Sequence, residues 1–553
     1  MRVARAVGET LANLGARDVF GLIGSGNFHV TNALCGAGAR FVAARHECAA
    51  VSMADGYARV SGRVGVASVH QGPGLTNTLT ALTEAGKSRT PLLLLAAEAP
   101  AAALTSNFRV DQATLVGTAG AVAERVYSPA TAVADSVRAW RRATAERRPV
   151  ALMLPLDVQQ AESAAAPATA APGPGLLAPR PSPAAVAAVA DLVEAARRPV
   201  IVAGRGAVLA GAREPLERLG DRIGAVLATS AVGNGLFAGN PFAVGISGGF
   251  ASPLAAELLA GADLVLGVGA SLNNWTTRHG GLVARTARVV QVDLDAEAIG
   301  AHRRVDAAMV GDAAEAALAL DQELERRGHR GDGFRTADLA GRIAARRWRD
   351  EPFELAGTPP TDAGTADWID PRTLSIALDD LLPAARTVAI DSGHFMGWPA
   401  MYLAVPDAAG FVFTQAFQSI GLGLSSAIGA AVARPDRLTV AALGDGGALM
   451  ALGEVETLAR LRLPLLAVVY NDAAYGAEVH HFDGEPLDLV RFPDTDFAAL
   501  ARAAGAQAVT VRSRDDLGPV AKWAEAPDGP LVVDAKVHPG VRAAWLEEAF
   551  RGG

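Results

Sequence analysis

The sequence predicts an α/β protein of three tandem doubly wound parallel-sheet domains. Three observations lead there. The chain has 553 residues, too many for one hydrophobic core. Two stretches without the period of a packed element, 161–183 and 328–369, cut it into segments of domain size. Within each segment, short β-branched or Leu-rich runs end in Gly and lead into Ala-rich helical stretches. Continuous apolar runs alternating with helices belong to parallel sheets covered on both faces.

The expected domains are 1–162, 184–328 and 369–553. In the first, Phe41–Ala44, Val64–Val69 and Leu92–Ala96 read as strands. The stretch 161–183 follows, almost all Ala, Pro and Gly, and reads as a linker. In the second, Val200–Ala203, Leu264–Val268 and Val289–Val292 read as strands, with the turns Gly204-Arg205-Gly206 and Gly269-Ala270-Ser271 at their ends. A charged helical piece, Leu339–Asp350, then leads into irregular chain at Gly357–Gly364. In the third, the strands are Val388–Ile390, Thr439–Leu443 and Leu465–Tyr470, with a helix Ala451–Leu461 between the last two. Ligands of such sheets bind beyond the carboxyl ends of the strands, and the motifs fall there.

Half of the residues are hydrophobic and a fifth charged, with a formal net charge of −8. No basic run marks a nucleic-acid partner. The two cysteines, Cys35 and Cys48, stand outside any metal spacing and read as reduced thiols at or near the core. No apolar run reaches the roughly 20 residues of a membrane span, and the first residues carry no signal-peptide pattern. A cytoplasmic protein without nucleic-acid or membrane partners is expected.

The densest chemical signal is Gly444-Asp445-Gly446-Gly447 at one strand end, followed after a helix by a strand ending in Asn471-Asp472-Ala473-Ala474-Tyr475-Gly476. Glycines let backbone N–H groups approach a diphosphate closely. Carboxylates and carbonyls are hard oxygen ligands for Mg²⁺ or Ca²⁺. In the first segment, Arg45-His46-Glu47 follows a strand and opens an Ala-rich helix, and His70-Gln71-Gly72-Pro73-Gly74 with Asn77 forms a Gly-rich turn.

These motifs resemble the thiamine-diphosphate (ThDP) enzymes of the acetolactate synthase, benzoylformate decarboxylase and pyruvate decarboxylase group, and the resemblance covers nearly the whole chain. It implies a pyrimidine-binding, a central Rossmann-like and a diphosphate-binding domain. It implies ThDP and Mg²⁺ as cofactors, with Asp445, Asp472 and the Ala474 carbonyl on the metal. Gly444, Gly446, Gly447, Tyr475 and Gly476 would line the diphosphate site. Asp391-Ser392-Gly393-His394-Phe395 resembles the second diphosphate loop, with Ser392, Gly393, His394 and Phe395 against the phosphates. Gln418, Ser419 and Ile420 resemble the segment that bends the cofactor, Gln418 accepting through its carbonyl and Ile420 wedged between the rings. Glu47 would contact the aminopyrimidine beside Pro73 and Asn77. On the substrate side the resemblance points to Ser25, His70, Glu478 and Asp111 or Gln112.

Two departures matter. Asp472 stands where Asn is commonest, and Glu478 where acetolactate synthases are typically apolar. In the centre, Asn273-Asn274-Trp275 replaces the acidic pair and Arg of flavin-binding members, which argues against FAD. The implied reaction is decarboxylation of a 2-oxo acid followed by ligation to an aldehyde or ketone. The alternatives are simple decarboxylation to an aldehyde, or a catalytically silent homologue. The implied assembly is a homodimer or dimer of dimers with the site at the subunit interface.

Overall fold

A computed structural model describes residues 1–169, 177–354 and 368–549. The irregular stretch expected at 357–364 and the middle of the linker lie outside the described residues. Three six-stranded sheets follow one another along the chain, and every strand pair in them is parallel. The first holds β1 (Asp18–Gly21), β2 (Arg40–Ala43), β3 (Gly65–Val69), β4 (Leu92–Glu98), β5 (Val122–Arg125) and β6 (Pro149–Pro155) in the order 2-1-3-4-6-5. The central sheet holds β7 (Pro199–Ala203), β8 (Val226–Thr229), β9 (Ala243–Ile246), β10 (Leu264–Val268), β11 (Arg288–Asp293) and β12 (Ala307–Val310). Its order, 12-11-10-7-8-9, is that of a dinucleotide fold. The third holds β13 (Arg386–Ile390), β14 (Phe411–Phe413), β15 (Leu438–Gly444), β16 (Leu465–Asn471), β17 (Gln507–Val511) and β18 (Leu531–Lys536) in the order 14-13-15-16-18-17.

The first and third sheets thus repeat one topology. In both, the order reverses between the first and third strands, so the loops leaving those strands border a crevice. β4 and β15 are buried along nearly their whole length, as expected of strands covered on both faces.

The two domains meet through equivalent helices. Helix Glu47–Ser61 follows β2, and helix Gly423–Ala433 follows β14. A Cβ on Gly56 would meet the Ser426 carbonyl oxygen at 2.1 Å, and one on Gly429 the Met53 oxygen at 1.9 Å. Only glycine permits that approach. As the number rises on one helix it falls on the other, so the two run antiparallel.

Several boundaries differ from the sequence reading. The expected helix Ala451–Leu461 begins at Gly453, because Asp445–Met450 forms its own short helix first. The piece Leu339–Asp350 is a helix, Ala337–Ala345, and a separate turn, Trp348–Asp350. The start of the 161–183 stretch packs on the N-terminal helix: Val3 N–H donates to Ala161 O, and Ala168 N–H to Thr10 Oγ1. Both cysteines are free thiols and half-buried.

Candidate active site

At the crevice of the third sheet, the loops after β13, β15 and β16 converge. Asp445 is the first residue of a helix, and its carboxylate accepts N–H bonds from Gly446 (2.7 Å) and Ala474 (3.1 Å), which ties two strand ends together. Ala473 adopts a left-handed φ of 55° with its N–H on Asn471 Oδ1. Strain of this kind persists only where the surroundings impose it. Asn471, buried, also donates to Asp534.

Burial pushes Asp445 up to about 6, and burial together with Asp445 pushes Asp472 well above the carboxylate range. Two like charges side by side in a half-buried site are costly without a cation. The floor is tight: a Cβ on Gly447 would sit 2.4 Å from Asp391 Oδ2, and one on Gly476 2.5 Å from Asp472 Oδ2. The donor set and the space therefore fit a hard divalent cation with a diphosphate.

His394 closes the far side. Its Nε2 accepts the Ala543 N–H at 2.9 Å, and burial pushes the imidazole down to about 3, with His480 and Arg542 adding to it. The neutral ring then carries its proton on Nδ1. Nδ1 lies 3.3 Å from where a Gly476 Cβ would be, inside the cradle, where it is a donor for an anionic oxygen. Phe395 stacks on Tyr470. Ser392 Oγ donates to Gln415 Oε1. Tyr475 packs edge-on against Phe492. Gln418 holds a left-handed φ of 60°, and Gln418 and Ile420, on either side of Ser419, line the cavity.

In the first sheet the equivalent crevice gathers Ser25 and His70. Asn27, buried, shapes the loop after β1 by accepting from Gly24 N–H and donating to Leu22 O and Ser68 Oγ. His70 Nδ1 accepts from Gly26 N–H at 3.2 Å. Burial pushes His70 below its ordinary value, against the pull of Glu47. Its neutral ring keeps the proton on Nε2. Glu47 is buried, and its Oε2 accepts from Asn77 Nδ2 at 3.0 Å, with Gly74 alongside. Pro73, at the start of the short helix after Gly72, is exposed at the rim.

Gln112 is buried, and both ends of its amide serve the backbone: Oε1 accepts from Gly72 N–H and Nε2 donates to Ala97 O. Asp111 caps the helix Gln112–Thr118 through Thr114. Glu478 is exposed on the helix Gly476–His481, on the wall of the cavity.

The structure brings the predicted residues together as two half-sites. Glu47, His70, Pro73, Asn77, Ser25 and Gln112 form one, and the residues from Ser392 to Glu478 form the other. Within one chain the cavity at the cradle is not lined by Glu47 or His70; the start of the Glu47 helix meets Glu454 instead, whose Oε1 accepts the Arg45 and His46 N–H groups. Arg59, near the far end of the Glu47 helix, donates to Phe413 O. Twelve residues of helix, about 18 Å, therefore separate Glu47 from the stretch that leads to Gln418.

Asp391, which opens the second diphosphate loop and had no role of its own in the sequence reading, accepts from Ser392, Gly421 and Leu422 N–H groups, and burial pushes it up to about 6. Sequence reasoning overlooked Glu84. Ala81, Glu84, Ala85 and Ser88 share one helical face, and only the structure shows that this face is buried.

A continuous cavity of about 2280 Å³ runs from the diphosphate cradle to the turns after β7 and β10. There Asn273 caps the helix Asn274–Thr277, and Trp275 packs edge-on against Phe250 and Trp545.

Residues 1–115 match the model of the thiamine pyrophosphate enzyme N-terminal TPP binding domain, 186–320 that of the central domain, and 391–535 that of the C-terminal TPP binding domain. The chain belongs to the thiamine pyrophosphate enzymes. Thiamine pyrophosphate is another name for ThDP. A sulfoacetaldehyde acetyltransferase of Castellaniella defragrans is 30% identical over 95% of this chain and 90% of its own length. An acetolactate synthase large subunit of Parasynechococcus marenigrum is 30% identical over 97% and 88%. A probable 2-ketoarginine decarboxylase of Pseudomonas aeruginosa is 32% identical over 94% and 90%. The two terminal TPP-binding domains of the family coincide with the two half-sites. No helix among the described residues is long and apolar enough to cross a membrane.

Proposed function

We propose that this ThDP enzyme decarboxylates a 2-oxo acid and joins the remaining acyl unit to a second carbonyl, an aldehyde or ketone. The observation that carries this reading is the half-buried Asp445–Asp472 pair above a glycine floor, an arrangement suited to Mg²⁺ and a diphosphate. Asp445, Asp472 and the Ala474 carbonyl would hold the metal. Gly444, Gly446, Gly447, Gly476, Tyr475, Ser392, Gly393, His394 and Phe395 would hold the diphosphate. Bound there, ThDP supplies the electron sink that lets a bond beside a carbonyl break.

The chain's own groups do the rest. Glu47 offers a buried carboxyl to the ring nitrogen of the aminopyrimidine, with Asn77 fixing its orientation. The Gln418 carbonyl would accept from the amino group, and Ile420 would hold the rings apart. Ser25 and the His70 Nε2–H donor would meet the substrate carboxylate or the new oxygen. Gln112 supports the Gly72 turn beside them.

The separation of the halves within one chain supports a homodimer or dimer of dimers, in which Glu47 of one protomer meets the cradle of its partner. Ile23, Phe28, Phe108 and Val110 by one half, and Phe417, Leu449 and Met450 by the other, are exposed apolar side chains that such a partner would cover. The names of the relatives include both an acetyl transfer and a decarboxylation. Simple decarboxylation to an aldehyde is the second reading, favoured by Glu478, a carboxyl on the cavity wall that could deliver a proton.

The protein with ThDP and Mg²⁺ is to be incubated with a panel of 2-oxo acids, with and without aldehydes. CO₂ release with mass-resolved hydroxyketones supports ligation. CO₂ and free aldehyde alone support the second reading. No CO₂ from any donor contradicts both.

A further inference from the structure

A buried ionic group joins the three domains beside the Gln418 turn. The side chains of Asp55, Arg59 and Glu84 are 2%, 3% and 1% exposed. Arg59 pairs with Asp55 at 2.7 Å and with Glu84 at 2.9 Å. Arg205, from the central domain, donates to Ser88 O and Thr90 Oγ1 alongside. The third domain contributes backbone only. Arg59 donates to Phe413 O at 2.9 Å, and the Phe417 N–H donates to Glu84 Oε2 at 2.7 Å. The N-terminal domain thus grips both ends of the stretch 413–417.

On the other side of the turn, Asp391 accepts from Gly421 N–H at 2.8 Å and Leu422 N–H at 3.2 Å. Gln418, Ser419 and Ile420 therefore lie between two buried carboxylates, one from each domain. Gln418 holds a left-handed φ, which a glutamine keeps only where its neighbours enforce it. Glu84 is suited to the task because both of its oxygens accept. Oε1 takes Arg59 and Ser88, and Oε2 takes the Phe417 N–H.

We propose that Glu84 and Arg59 are positioning residues that set the Gln418 carbonyl and Ile420 against the cofactor. The proposal rests on the ThDP reading above and extends it. Helix Glu47–Ser61 then serves two sites at once. Its first residue works in the partner's site, and Arg59 near its end shapes the site of its own chain.

The test uses the full-length protein with ThDP and Mg²⁺. Glu84→Gln keeps the shape but turns an NH₂ toward either Arg59 or the Phe417 N–H, so one donor loses its acceptor. Cofactor affinity should stay within about threefold, because the groups of the cradle are untouched. Exchange of the bound cofactor's C2 proton, read by quenched NMR, should slow by about tenfold or more, and kcat with it, while KM for the oxo acid holds. Arg59→Lys keeps the charge but not the planar fork that spans Asp55, Glu84 and Phe413 O. It should slow exchange in the same direction, and it serves should the first variant fold poorly. A lowered Tm with C2 exchange within about twofold of wild type in the folded, saturated variants would mean a structural role and overturn the proposal. Wild-type protein that binds no ThDP would remove the functional reading, and this proposal with it. The wild-type arm therefore tells the two failures apart.

Discussion

Asp445→Asn should make the metal-free protein more stable at pH 7.5 and at the same time destroy its response to Mg²⁺ and ThDP. Burial raises Asp445 from an ordinary 3.8 to about 6. That rise corresponds to about 3 kcal/mol of folding stability lost once the carboxyl ionises. Because the folded value lies above the unfolded one, the stabilisation is full below pH 3.8 and lost as pH climbs through about 6. Asparagine removes the charge. It can still accept one of the two N–H bonds from Gly446 and Ala474, but it turns an NH₂ toward the other, which costs about 1–2 kcal/mol. The net gain is about 1–2 kcal/mol, or roughly 3–6 °C in the melting of the third domain. Differential scanning calorimetry of metal-free wild type and variant at pH 7.5 and pH 4 measures it. The variant should melt higher at pH 7.5 only, and wild type alone should gain on adding Mg²⁺ with ThDP. A metal-free variant melting at or below wild type at pH 7.5, or sharing its Mg²⁺-dependent gain, would refute the reasoning.

His394→Phe removes the Nδ1–H donor from the cradle, so ThDP affinity measured by calorimetric titration should fall about tenfold. His394 is buried neutral, with a value of about 3 against an ordinary 6.5. The stability it lends is present above pH 6.5 and is lost as pH falls toward 3, so wild type should lose stability across that window faster than the variant. Gln112→Leu strips Gly72 N–H and Ala97 O of their buried partner, and denaturant melts should show a loss of about 2–4 kcal/mol. A Gln112 that served substrate alone would shift KM and leave the melt unchanged.

The sheets were legible because parallel strands buried on both faces are continuous apolar runs, and Leu92–Ala96 and Leu465–Tyr470 fall within β4 and β16. Their ends were less so. Gly444 closes a strand and Asp445 opens a short helix, where the sequence ended the strand at Leu443 and gave no helix before Ala451, because glycine-rich triplets carry no period. The cradle residues were legible for a chemical reason: glycines and hard oxygen ligands cluster at two strand ends. Glu84 was not, since a lone acid in a short helix has a meaning only once its face is known to be buried against another domain. Gln112 was named by the resemblance alone, and its backbone partners, Gly72 and Ala97, come from two other segments of the domain. Nothing in the sequence gives the direction in which two helices pack; the contacts of Gly56 and Gly429 and the Arg59 bond to Phe413 O place Glu47 away from its own chain's Gln418 turn.

That separation is the centre of the account, and mixed dimers test it. Glu47→Gln and Asp445→Asn chains, each inactive as a homodimer, are to be co-expressed, purified through two different tags and assayed for CO₂ release. If the site joins Glu47 of one chain to Asp445 of its partner, each mixed dimer holds one intact site, and the purified mixed dimers should show about half the wild-type activity. If both residues served the same chain's site, no mixed dimer would hold an intact site. Activity no greater than that of the parent variants would contradict the account.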